Sequence, residues 1–288
     1  MGGFLNLQNE KLIDLHIHST FSDGLLTPRR IVETAGKLGI CAIAVTDHDD
    51  VRAYAEAQTA GLEMGIEVVP GIELSSVEAG AEIHLLGYYI DPHNEPLLQF
   101  TQLFRTHRDQ RARQILQRLG NLGLNIPFEI LKHKAGEGAL GRPHIADIMV
   151  EEGMVFSFQE AFNKYLGENR PGYVPKMKIS SQEAIDLIHR AGGLAFLAHP
   201  GTGVENEVIR KLIDWGLDGI ETMHPKHTPV MIEAYRELTI KYGLLETGGS
   251  DCHGGRRGEL MMGTMTVPMA ILEKIKVRHH RMRRVGTA

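Results

Sequence analysis

The sequence predicts an α/β barrel carrying a small inserted helical domain, and three observations point there. Short apolar runs alternate with helical patterns over most of the chain. Those runs number seven or eight, which suits a barrel better than an open sheet. One stretch, from about Pro92 to Pro175, breaks the alternation. A chain of 288 residues is long for one ordinary domain but normal for a barrel with an insertion.

The elements follow in order. LIDLHI (12–17) reads as the first strand. Thr27 can then cap a helix that opens on Pro28 and stops at Gly39. ICAIAVT (40–46), IEVVPGIEL (66–74) and EIHLLGYYI (82–90) read as the next strands. Residues 1–91 and 176–288 are assigned to the barrel, and 92–175 to the helical insertion, with a long helix in QFTQLFRTHRDQRARQILQRLGNLG and shorter pieces after Arg142. Ser180 or Ser181, with Glu183 following, starts another helix that ends at Gly192 and Gly193. GLAFLAH (193–199), LDGIETM (217–223), YGLLETG (242–248) and TMTVP (264–268) complete the strands, expected to run parallel. The final KVRHHRMRRVGTA reads as a frayed basic tail.

Composition narrows the setting. Thirty-one Lys and Arg against 36 Asp and Glu give −5, with no overall basic bias towards nucleic acid. Residues 100–180 carry 12 basic against 8 acidic side chains, so the insertion differs in sign from the remainder. Two cysteines, Cys41 and Cys252, are too few for a disulfide framework and suit a reducing, cytoplasmic setting. Cys41 is expected in the core, and Cys252 either beside the site or as a bystander. Residues 1–10 lack the features of a secretory signal, and no apolar run is long enough to cross a membrane. No glycine-rich phosphate loop follows a strand. No obligate protein partner is inferred.

The histidines and carboxylates recur where strands end. His16 and His18 close the first strand in DLHIHSTFSDG, with Asp23 just after; Asp47 and His48 close the second, and Glu73 the third. His84 lies in the fourth, His199 ends the fifth, His224 follows the sixth, and Asp251 and His253 follow the seventh. In a β/α barrel such ends gather at one mouth. Imidazole and carboxylate together suit Zn, Mn or Fe. In H-x-H the strand must end or twist for both rings to reach one ion. Singly, each residue has a plainer reading, such as a packed histidine or a turn aspartate; the recurrence favours metal.

DLHIHSTFSDG, VTDHD, PGIELS, IHLLGY, LAHP and GSDCHG resemble the motifs of the PHP (polymerase and histidinol phosphatase) phosphoesterases, from about residue 12 to 268. GRPHIADIMVEEG and YLGENRPGYVP look like the nucleoside 3′,5′-bisphosphate phosphatase and 5′-3′ exoribonuclease subgroup. The family usually has Phe where Cys252 stands and Thr where Asp50 stands. The resemblance implies a distorted (β/α)7-type TIM-like barrel and three divalent ions, Mn²⁺ foremost, with Zn²⁺ or Fe²⁺ as alternatives. His16, His18, Glu73 and Asp251 would hold the first ion, and Glu73 would bridge to a second completed by His84 and His199. Asp23, His48 and His253 would hold the third, with Asp14 and Asp47 orienting ligand imidazoles.

The expected reaction is removal of the 3′-phosphate from a nucleoside 3′,5′-bisphosphate by a metal-bridging hydroxide, with AMP as a product and short 5′-phosphorylated RNA as a second substrate. Arg142, at a helix start, is the candidate phosphate ligand, with His144 a weaker one. His224 would contact phosphate or protonate the leaving group, and His227 would be its surface neighbour. Arg105, Arg108, Arg111, Arg113 and Arg118 read as a solvated helix face. A histidinol-phosphate phosphatase is the alternative enzyme, against which the insertion weighs; a non-catalytic metal-binding interaction module is the alternative of another class.

Overall fold

A computed structural model describes residues 11–285 apart from 137, 139, 202, 256 and 257. The reading of residues 1–10 and of the last three residues of the tail therefore lies outside the described residues. The first part runs β1 (Leu12–Ile17), α1 (Pro28–Lys37), β2 (Ile40–Val45), α2 (Ala53–Met64), β3 (Glu67–Glu78) and β4 (Ala81–Tyr88). A helical stretch follows with α3 (Glu95–Gly120), α4 (Phe128–Ala135), α5 (Arg142–Glu151), α6 (Phe158–Ala161) and a π-helical turn (Phe162–Leu166). The chain returns through β5 (Ile179–Ser180), α7 (Ser181–Arg190), β6 (Leu194–Leu197), α8 (Asn206–Asp214) and β7 (Gly219–Met223). It closes with α9 (Pro229–Tyr242), β8 (Leu245–Gly248), β9 (Val267–Pro268) and α10 (Met269–Val285).

The sheet order is β8-β7-β6-β4-β3-β2-β1-β9, with β5 pairing β3 off that path. The sheet curls into a nearly closed barrel with helices around it. An isolated bridge between Ile17 and Cys252 ties the end of β1 to the segment after β8. Both faces of the central strands are buried, so they read as continuous apolar runs rather than alternating ones. Ile13, Leu15, Val69, Leu86, Tyr88 and Phe196 belong to one cluster, and Ile72, Leu74, Leu85 and Leu197 pack with α7 and α8 in another.

Not all strands are parallel. β4 runs antiparallel to both β3 and β6, and β9 antiparallel to β1. Between β3 and β4 stand only Ala79 and Gly80, both at positive φ (49° and 82°). Two such residues form a tight hairpin turn, and parallel neighbours would need a long crossover. His84 thus sits near the start of its strand, opposite Ser75. The reversal brings it to the same end as Glu73.

Local signals act as the sequence suggests at two helix starts. Thr27 accepts Arg30 N–H at 3.3 Å with Pro28 opening α1, and Ser180 and Glu183 form a reciprocal capping box at α7. The helices between Glu95 and Leu166 have a core of their own, including Leu119, Leu131, Ile145, Met149 and Leu166. The expected frayed tail is instead helical to Val285: α10 starts at Met269, and within the tail His279 is buried against Gly192 O and stacked on Tyr89, with Met282 packed on the barrel core. No described helix is long and apolar enough to cross a membrane.

Candidate metal centre

β1 carries His16 inside the strand and ends at Ile17, so His18 leaves the regular alternation. Its N–H donates to Cys252 O at 2.9 Å. The two imidazoles turn towards each other, with Nε2 atoms 3.1 Å apart. Glu73 Oε2 lies 3.3 Å from His16 Nε2 and 3.2 Å from His18 Nε2, while Asp251 Oδ1 lies 3.6 and 3.2 Å from them. The same Glu73 faces His48 Nδ1 at 3.0 Å, His84 Nδ1 at 2.9 Å and His199 Nε2 at 3.0 Å. Asp23 Oδ1 stands 3.3 Å from His253 Nε2 and 4.0 Å from His48 Nε2.

Four groupings place their donor atoms within 4.8 Å of one another: His18, Asp23, His48 and His253; His16, His18 and Asp251; His16, Glu73 and His199; His48, Glu73 and His84. The spacing suits cations. Nitrogen and oxygen ligands at about 2.0–2.1 Å in a tetrahedron stand roughly 3.3 Å from one another. The separations around His16, His18, Glu73 and Asp251 bracket that edge. The residue sets overlap: His18 belongs with the Asp23 group as well as with His16, and Glu73 is common to two groups.

Electrostatics agree. Burial alone would raise the carboxyl groups of Glu73, Asp23 and Asp251, but the surrounding imidazoles outweigh it and hold all three well below the ordinary range. Burial opposes charge on His18 and His84, yet their carboxylate neighbours push them up to about 10 and about 9. Burial holds His48 well below the usual value. Backbone strain concentrates here too: Asp49, His199 and Asp251 have φ of 54°, 26° and 51°. Non-glycine residues in this region are uncommon and gather at functional sites.

Glu221 was not legible as a site residue. It is fully buried in β7, where Oε1 meets His16 Nδ1 at 2.9 Å and Oε2 accepts His199 N–H at 2.7 Å. The available signal was a carboxylate inside the apolar strand GIETM, since a Glu is almost never fully buried unless paired. Asp14 and Asp47 hydrogen-bond to no imidazole ring, but Asp14 Oδ1 accepts the backbone N–H of the proposed ligand His16 at 3.4 Å. Asp14 takes the Ser250 N–H and hydroxyl at 2.9 and 2.6 Å, and Asp47 takes Ser19 and Ser22. They pin the loop backbones from which ring-bearing residues project.

The other candidates divide. His224 Nδ1 accepts Lys226 N–H at 3.1 Å, so a neutral ring carries its proton on Nε2, 3.5 Å from Asp251 Oδ2 and without a hydrogen-bond partner. His227 is not a surface residue: it is 7% exposed and bridges Thr222 O and Gly201 N. His144 is buried and uses Nδ1 to accept Gly141 N–H, a helix-start contact rather than one aimed at substrate. Cys41 donates to Leu12 O from a partly buried position, and Cys252 is buried.

Arg142 opens α5 and donates Nη1 to Leu166 O at 2.9 Å. Its guanidinium lies 5.5 Å from the ring centroids of Phe162 and Tyr173. It lines a cavity of about 90 Å³ with Arg111, Lys176, Lys178, Tyr173, Glu82 and Glu168. Glu82 Oε1 also meets His84 Nε2 at 2.7 Å, so this basic cavity adjoins the carboxylate–imidazole cluster. The arginines of α3 form a solvated face only in part: Arg113 and Arg118 are exposed, whereas Arg105, Arg108 and Arg111 are half-buried. Arg108 pairs with Asp49, Arg111 Nε donates to Val174 O at 2.7 Å, Arg118 donates to Tyr173 O, and Arg113 stacks 3.5 Å over Phe128.

A family model described as the PHP domain matches residues 14–199. The chain is 33% identical over 249 residues to a 5′-3′ exoribonuclease Rnm of Escherichia coli, covering 84% of this chain and 85% of that one. It is 33% identical over 252 residues to a 3′,5′-nucleoside bisphosphate phosphatase of Chromobacterium violaceum, covering 85% and 88%. A solved structure from Bifidobacterium adolescentis, described as a metal-dependent phosphoesterase, superposes with a TM-score of 0.85 at 30% identity, covering 93% of this chain and 96% of that one.

Proposed function

The chain belongs to the PHP family and is a phosphoric ester hydrolase; from that premise we propose that it removes the 3′-phosphate of nucleoside 3′,5′-bisphosphates. The observation that carries this reading is the basic cavity beside the cluster. Two arginines and two lysines against two carboxylates offer a place for a phosphate that is held and not cleaved. Arg111 adds weight, because its Nη2 is buried without a hydrogen-bond partner.

The proposed ligands are His16, His18, Asp23, His48, Glu73, His84, His199, Asp251 and His253, holding up to three divalent ions, Mn²⁺ foremost. Bound ions would supply positive charge against the phosphate and lower the pKa of an attacking water. The chain's own residues supply the rest. Arg142 grips the 5′-phosphate and fixes the substrate's register across the mouth. His224 Nε2–H is placed to donate towards the departing 3′-oxygen, its tautomer set by Lys226 N–H. Glu221 keeps the proton of His16 on Nδ1 and leaves Nε2 free to ligate. The helices of 92–175 act as the recognition domain in this reading.

A short 5′-phosphorylated RNA presents the same terminal phosphate and next phosphorus, and the exoribonuclease relative favours it as a second substrate. Phosphate and nucleotide release is measured with Mn²⁺ on adenosine 3′,5′-bisphosphate, histidinol phosphate and such an RNA. AMP from the bisphosphate is the expected product. Faster turnover of histidinol phosphate would remove the nucleotide assignment and leave the phosphoesterase chemistry.

A further inference from the structure

Asp49 directly follows His48 and is 2% exposed. Its φ of 54° lies in the left-handed region, which Asp tolerates better than most non-glycine residues. Three contacts hold the turn. Asp49 N donates to Glu73 O at 2.9 Å, Oδ1 accepts Ser75 N–H at 2.8 Å, and Oδ2 pairs with Arg108 Nη2. The first two come from β3. The third comes from α3, in the inserted helices. Asp50, equally buried, is held by Arg52 at 2.7 Å and by Arg105 of α3 at 3.7 Å. One turn beyond Arg108, Arg111 reaches the basic cavity. Arg108 itself does not line that cavity.

We infer that Asp49 and Arg108 are a positioning pair: the insertion clamps the turn that aims His48, so retention of the ion shared by His48, Asp23 and His253 depends on that clamp. The inference rests on reading His48 as a ligand. A buried carboxylate left without its guanidinium is strongly disfavoured, and the turn would open to bring Asp49 to water. His48, one residue away, would move with it. A ligand displaced by a fraction of an ångström weakens a metal site without unfolding the barrel.

The test uses the full chain as Arg108→Met, Arg108→Lys and Asp49→Asn, the last retaining an acceptor for Ser75 and tolerance of positive φ. Each protein is loaded with Mn²⁺, freed of excess by gel filtration and assayed for metal content, Mn²⁺ affinity, thermal midpoint and steady-state kinetics on the bisphosphate. Arg108→Met and Asp49→Asn should each lose one ion per chain after gel filtration, with one site loosened about tenfold or more. Excess Mn²⁺ should restore it, and Arg108→Lys should recover part of the loss. Unchanged metal content with a lower thermal midpoint would make the pair a plain strut and overturn the inference. So would a rise in KM for the bisphosphate alone, which would mark Arg108 as a phosphate ligand. Insolubility of all three variants would count against it too, since positioning requires a folded variant short of one ion. Full metal content in His48→Ala would remove the ligand reading first; failure of the chain to cleave the bisphosphate would leave the metal result standing.

Discussion

Glu221→Gln isolates a buried carboxylate that touches two proposed ligand residues, His16 and His199, from behind the cluster. The change conserves volume and removes a charge. In the native protein both oxygens accept, one from His16 Nδ1–H at 2.9 Å and one from His199 N–H at 2.7 Å. A carboxamide has one oxygen, so either orientation loses one of the two bonds. If the amide oxygen faces His199, its NH₂ donates to His16 Nδ1 and drives the ring proton to Nε2, where it blocks ligation. If the oxygen faces His16, two N–H donors meet at His199. A charge-assisted bond is worth roughly 1.5–3 kcal/mol, which corresponds to about 10- to 100-fold in metal affinity, the range found for residues behind ligand histidines. The assay is competition of the metal-free protein with a chromophoric chelator for Mn²⁺ and Zn²⁺, with circular dichroism to verify folding. The loss should fall on the ions touching His16 and His199. Affinities within about twofold of wild type would refute the argument that Glu221 sets the tautomer.

Other substitutions test other parts. Arg142→Ala should lower kcat/KM on adenosine 3′,5′-bisphosphate by about 30- to 1000-fold, from roughly 2–4 kcal/mol of lost positioning, and do far less on adenosine 3′-monophosphate; equal losses on both would assign Arg142 elsewhere. Gly249→Ala would bring a Cβ within 2.4 Å of His16 N and 2.5 Å of His16 Cβ, so a drop of about 1–3 kcal/mol in denaturant stability should accompany weaker metal binding; an unchanged midpoint would show that the strand end is slack. Burial holds His279 below its ordinary pKa, against the opposing pull of its hydrogen bond to Gly192 O. Its unfolded form therefore takes up a proton first, and stability falls as pH drops through about 6.5. The urea midpoint of wild type should lose more between pH 8 and 5.5 than that of His279→Gln, and parallel curves would sink this reading.

Much of the fold was legible because the strands are short apolar runs with clear punctuation. Leu12–Ile17 is a strand over the expected residues, and Thr27–Pro28 and Ser180–Glu183 open helices as capping chemistry dictates. What escaped was direction and company. Alternation suggested parallel strands, but the Ala79–Gly80 turn reverses β4, a matter of two dihedral angles rather than of hydrophobic pattern. Arg108 and Arg111 of α3 looked solvated because their partners, Asp49 and Val174, are distant in sequence. His279 and Met282 sit among basic residues, so the end of the last helix read as a tail, although both side chains pack against the barrel. Glu221 was hidden for the same reason as the arginines: nothing near it in sequence names His16.

The hairpin of β3 and β4 also imposes an order of assembly. Glu73 and His84 stand 11 residues apart, whereas Glu73 and His199 stand 126 apart with the helical stretch between them. Loop closure over the longer span costs about 2 kcal/mol more. During synthesis the near pair can meet while the far half of the chain does not yet exist. A half-made chain would thus hold six of the nine proposed ligands on its first strands and the loops that follow them, with no β6 or β8 to complete the sheet. Ion capture at a centre built from all nine would therefore have to wait for the last strands.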